Sequence, residues 1–98
     1  MLVILSKSDP VKLELASDAV SKTTDSTVII LSDAFYLALD GRYNDTFIKM
    51  QKMGAKFYAV DADVLKRITG KPPSFLSVIS YKQLVNIIIE NGRNTINL

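Results

Sequence analysis

Apolar and polar positions along this chain change period repeatedly, and each change marks an element. Leu2 to Leu5 is an unbroken apolar run, followed by polar Ser6-Lys7-Ser8 and then by Asp9-Pro10. Aspartate caps helices and proline is tolerated in a first helical turn, so this pair predicts a helix start. Beyond it Leu13, Ala16 and Val20, beside Leu15 and Ala19, recur at helical spacing and form a wide apolar stripe. Thr23 to Ser26 reads as a polar turn. Thr27 to Leu31 reads as a second strand, a β-branched run of the kind that parallel sheets bury on both faces.

Ser32-Asp33 opens a second helical region with Ala34, Phe35, Leu37, Ala38 and Leu39, interrupted at Asp40-Gly41 and resumed through Tyr43, Phe47, Ile48 and Met50. Gly54 stands where a left-handed helix cap is expected. Phe57 to Val60 predicts a third strand, and Asp61 a cap for a short third helix that Gly70 closes. Asp63 near its start and Lys66 and Arg67 near its end both complement the helix dipole. Pro72-Pro73 forces an extended link to a fourth strand, Leu76 to Ile79. Ser80-Tyr81-Lys82-Gln83 has the form of a capping box, with Gln83 reaching back to Ser80. The helix it opens carries Leu84, Val85, Ile88 and Ile89 and ends near Gly92, before a short fifth strand over Thr95 to Leu98.

Strands alternating with helices through short links imply parallel strands joined by right-handed crossovers. The expected fold is therefore α/β: a three-layer α/β/α sandwich around a five-stranded, mostly parallel sheet, with 1–98 forming one domain. No internal repeat or low-complexity tract breaks it.

Composition narrows the chemistry more than the fold. The 98 residues include no cysteine and no histidine. That removes thiol redox chemistry, soft-metal sites and the usual nucleophile–base pairs, so no catalytic residue, metal or cofactor is assigned and a binding or scaffolding subunit is expected rather than an enzyme. The net charge is only +2 and the 12 basic residues are scattered, so direct nucleic-acid binding gains no support. The apolar runs are far shorter than the roughly 20 residues that a membrane helix needs. Met1 to Leu5 is too short for the core of a signal peptide, and a cytoplasmic protein is expected. A small domain hides only part of its apolar surface, so a 48% hydrophobic content suggests that some is covered by a partner.

Two sets of residues are candidates for function. Gly70-Lys71 is not among them: a phosphate loop needs glycine where Leu65 stands and Ser or Thr where Pro72 stands. No Gly-x-Gly-x-x-Gly stretch follows any strand. The first set is Ser6, Ser32, Asp33, Asp61 and Ser80, which fall near the carboxyl ends of strands, the rim where open α/β sheets bind ligands. Asp33 and Asp61, with Asp63, have two readings, as hard-cation ligands or paired acid and base, and as helix-start residues. The second set is aromatic: Phe35, Tyr36, Tyr43 and Phe47. Phe35 and Tyr36 are adjacent on a helix and cannot face the same way, so one is expected outward, as a partner-facing ring.

Three segments resemble one family. Val28-Ile29-Ile30-Leu31-Ser32-Asp33-Ala34-Phe35-Tyr36-Leu37-Ala38 resembles the strand and helix start that in the TusB/DsrH family usually carries Gln-Asp-Gly. Lys56-Phe57-Tyr58-Ala59-Val60-Asp61-Ala62-Asp63-Val64-Leu65 is similar to that family's third strand and acidic helix start, and Val78-Ile79-Ser80-Tyr81-Lys82-Gln83-Leu84-Val85 to its Asp-Tyr-x-x-Phe-Val element. Ser32, Ala34 and Ser80 depart from the family's Gln, Gly and Asp, and Leu98 stands at the end where tryptophan is frequent. The resemblance implies a DsrE-like fold and a place in a sulfur relay, serving 2-thiolation of wobble uridine in transfer RNA or sulfur metabolism. It implies hetero-oligomeric partners of the TusC/TusD or DsrE/DsrF type, whose reactive cysteine falls about where Val60 and Asp61 stand here. Lacking a thiol, this chain is expected to be a non-catalytic subunit. The alternative is a homo-oligomer that binds a small anion or nucleotide at the strand-end rim.

Overall fold

All of residues 1–98 are described by the computed structural model, in which five strands and five α-helices alternate. They are β1 (Leu2–Leu5), α1 (Pro10–Ser21), β2 (Thr27–Ile30), α2 (Phe35–Leu39), α3 (Asn44–Lys52), β3 (Lys56–Val60), α4 (Asp61–Arg67), β4 (Leu76–Ile79), α5 (Tyr81–Asn91) and β5 (Thr95–Asn97). Single 3-10 turns, Ser32–Ala34 and Gly41–Tyr43, lead into α2 and α3. Every strand pair is parallel, and the sheet order is β4-β3-β2-β1-β5.

That order decides where the helices lie. From β1 to β4 the chain advances across the sheet in one direction, and right-handed crossovers then place the intervening helices on a single face. From β4 it returns past the whole sheet to pair β5 with β1, so α5 crosses the opposite face. The core divides accordingly. Val3, Leu5, Val28, Ile30, Phe57 and Ala59 point toward Leu13, Ala16 and Val20 of α1, Phe35 and Leu37 of α2, and Phe47 and Met50 of α3. Val64 and Ile68 pack against the edge of this cluster. On the other face Leu2, Ile4, Ile29, Val60 and Ile79 lie beneath Leu84 of α5. Alternate residues of each strand serve opposite layers, which is why these strands read as unbroken apolar runs.

The local signals at helix starts hold in detail. The Asp9 carboxylate accepts the Val11 N–H at 2.9 Å, with Pro10 opening α1. At α5 the Gln83 N–H donates to Ser80 Oγ at 3.2 Å, and the Ser80 N–H donates to Gln83 Oε1 at 2.8 Å. Gly54, at φ +97°, follows α3 where only a left-handed residue turns the chain toward β3.

The sheet, expected to be mostly parallel, is wholly so, and the second helical region breaks at the expected place, where extended Asp40 separates α2 from the turn into α3. Two expectations change. Asp61 is the first residue of α4 rather than its cap; extended Val60 occupies that place. Gly70 does not close α4, because Ile68 already turns extended (φ −126°, ψ 139°) and the helix ends at Arg67. Gly70 instead takes its positive φ in the loop beyond.

Candidate functional site

The carboxyl ends of β2 and β3 and the start of α5 enclose a cavity of about 250 Å3. Leu31, Val60, Ala62, Leu84 and Tyr81 line it, with Ser32 and Asp63 as polar members. A wider depression of about 540 Å3, lined by Met1, Ser21, Lys22, Thr23, Thr24 and Asn94, lies at the opposite end of the strands. The smaller cavity is the one at the end where parallel sheets place ligands, and its apolar lining with a few polar groups suits that use.

Its polar edge is built from the turn after β2 and from α4. Leaving β2, the chain takes a left-handed conformation at Ser32 (φ 50°), unusual for a residue with a side chain. The Ser32 N–H donates to Asp63 Oδ2 at 3.2 Å, tying this turn to the first turn of α4. Asp63 Oδ1 accepts from Arg67 Nη1 at 3.2 Å, one helical turn on. Asp33 reaches the same guanidinium at 3.8 Å, and Arg67 Nε is buried with no hydrogen-bond partner. Two carboxylates thus surround a single guanidinium, leaving no net positive charge beside the cavity. An anion or a nucleotide phosphate would meet negative potential there, which counts against the rim as an anion site.

The rim candidates do not form one constellation. Ser32 lines the cavity, and Asp33 stands at the edge of the Arg67 cluster. Asp61 is exposed and its Oδ1 accepts the Ala62 N–H at 2.7 Å, a bond internal to its own helix start. Ser80 is used up in the capping box. Ser6 stands on the same rim, just past β1 and beside Leu31, but its N–H and Oγ both donate to the Leu98 carbonyl, at 3.1 and 3.3 Å, on the side toward β5. The acidic residues do not converge as a metal-ligand set. Arg67 and Tyr81 belong to the neighbourhood although sequence reasoning did not place them there. The spacing of Asp63 and Arg67 at i and i+4 is a legible pairing signal. The contact between Ser32 and Asp63, 31 positions apart, has none.

The aromatic set separates cleanly. Tyr36 is 52% exposed, whereas Phe35 is fully buried beneath it. Phe47 is also fully buried, stacked on Phe75 with centroids 4.8 Å apart and edge-on to Phe57 at 5.4 Å. Phe35 and Phe47 are therefore core residues that present no ring to a partner; each sits on the helix side that turns toward the sheet. Tyr43 is half-buried, with the Arg42 guanidinium 5.6 Å from its ring centre. Of this set, Tyr36 and part of Tyr43 reach the surface.

No protein-family model matches this chain, and no curated protein is recognisably similar to it.

Proposed function

We propose that this chain is a non-catalytic subunit of a sulfur-relay assembly, of the kind that its resemblance to the TusB/DsrH family implies. The observation that carries the reading is the junction of β3 and α4. Cysteine-bearing members of such a relay need a thiol here; this chain has Val60, with 5% of its surface exposed, and then Asp61. Val60 faces the cavity beneath α5, so the position is packed as a structural one. A chain without any thiol cannot carry a persulfide, and its contribution is to complete an oligomer whose other members do.

Support also comes from the surface. Tyr36 and Leu39 on α2 are exposed apolar side chains, and Tyr36 is one of the four aromatic residues read from the sequence as partner-facing candidates. The test is co-expression with cysteine-bearing TusC/TusD- or DsrE/DsrF-like subunits, with one chain tagged. Recovery of a stoichiometric complex at micromolar concentration is the expected result, and Tyr36→Ala should weaken it. Failure to co-purify under those conditions overturns the reading.

A further inference from the structure

Alone among the five α-helices, α4 buries none of its residues: all seven are half-buried or exposed. Val64 and the following Ile68 reach only the edge of the larger core cluster, and Leu65 is 81% exposed. Having few buried apolar contacts is what separates a locally opening segment from a core element. What holds α4 to the turn after β2 is polar instead. The Ser32 N–H donates to Asp63, and Arg67 joins Asp63 on its own helix to Asp33 on that turn. Past α4 the chain is slack. From Thr69 to Phe75 no backbone N–H donates to a backbone carbonyl, and Gly70 turns through a positive φ there.

The closed arrangement also carries costs. The Arg67 side chain is only 19% exposed, yet its Nε has no hydrogen-bond partner, and a buried donor left unpaired regains water when its surroundings open. Ser32 is held at a left-handed φ of 50°, a conformation that a side chain disfavours. We propose that α4 is a hinged wall of the strand-end cavity, swinging as a unit about the Val60–Asp61 junction, with Asp33, Arg67, Asp63 and the Ser32 N–H as its latch. Val60 is extended and buried on β3, so the sheet fixes one side of that junction while no buried side chain fixes the other. Ala62 and Asp63 line the cavity, so opening takes away one side of it. This inference goes beyond the sulfur-relay reading and does not require it.

Amide hydrogen exchange of the full chain, followed residue by residue by NMR, tests it. Ser32 and the Leu65 to Ile68 stretch lie on separate segments. A common opening gives their amides one shared protection factor, about 100-fold or more below that of β2. Arg67→Ala removes the latch's cation, puts the best helix former in its place and leaves the bond between Ser32 and Asp63 untouched. Ser32 exchange should then quicken about fivefold or more, in step with Leu65 and Lys66. A helix that merely frays would leave Ser32 where it was. Unequal protection of Ser32 and Ile68, protection of both equal to that of β2, or a Ser32 amide indifferent to Arg67→Ala overturns the proposal. The comparison of Ser32, Ile68 and β2 needs no variant, so it decides the matter even where Arg67→Ala fails to fold.

Discussion

Ser80 and Asp40 show how much of this structure is written at single positions. Ser80 and Gln83 reciprocally satisfy two backbone N–H donors at the start of α5, each with the other's side-chain oxygen. Ser80→Ala removes one bond and leaves the Gln83 N–H to solvent. The expected loss is about 1 kcal/mol, read as a lower urea midpoint at unchanged slope. Asp40 does the same for the turn before α3, accepting the Arg42 N–H at 3.0 Å and the Arg42 guanidinium at 2.7 Å. The side-chain bond to Arg42 above all, and then the backbone bond, hold the Asp40 carboxyl below its ordinary value of 3.8. A carboxyl lowered by folding contributes stability that is fully present above its unfolded value and disappears as pH falls through the folded one. Carbon-detected NMR should find Asp40 titrating below 3.8, and Arg42→Ala should move it part of the way back, since the backbone bond survives. A wild-type midpoint at the ordinary value would sink this account.

Among the elements, α5 carries an unequal load. One face of the sheet is covered by four helices around a cluster of 17 buried residues; the other has α5 over a cluster of six. Leu84 is the helix residue in that smaller cluster, touching the layer formed by Leu2, Ile4, Ile29, Val60 and Ile79. Leu84→Ala should cost about 2–5 kcal/mol. Amide exchange should accelerate in α5 and β5 before it does in α1, and uniform acceleration would contradict separate layers. The same element shows where periodicity stops being sufficient. Leu84, Val85, Ile88 and Ile89 read as one apolar face in the sequence, yet a helix lying flat on a sheet buries a narrower arc than these residues span. Leu84 went to the sheet, and Val85 and Ile89 to the surface.

For the molecule as a whole, stability should fall from the centre of the sheet outward. β1, β2 and β3 are paired on both sides and fully or largely buried, whereas β5 is a three-residue edge strand with exposed side chains. Native-state hydrogen exchange should be slowest in β2 and fastest among the strands in β5, and equal protection of the two would refute this ordering. The parallel α/β sandwich was legible because its signals are local: apolar runs for doubly buried strands, Asp9-Pro10 and Ser80 to Gln83 for helix starts, Gly54 for a helix end. That one of Phe35 and Tyr36 turns outward was legible for the same reason, since neighbours on a helix diverge by about 100°; that it is Tyr36 was decided by the packing of α2 on the sheet. Nothing local could join Ser32 to Asp63 or bring Tyr81 and Ala62 to one cavity, because that arrangement exists only once β2, β3 and α5 converge at one end of the sheet. Nor could spacing alone reveal that Phe47 is walled in by Phe57 and Phe75 from distant strands and loops. The residues alone specify which segments become strands and helices, and that no thiol chemistry can occur here. Which side chains meet at the rim, and which apolar stripe is left uncovered, was decided by strand order: β5 pairs with β1, and that single return across the sheet sends α5 alone to the second face.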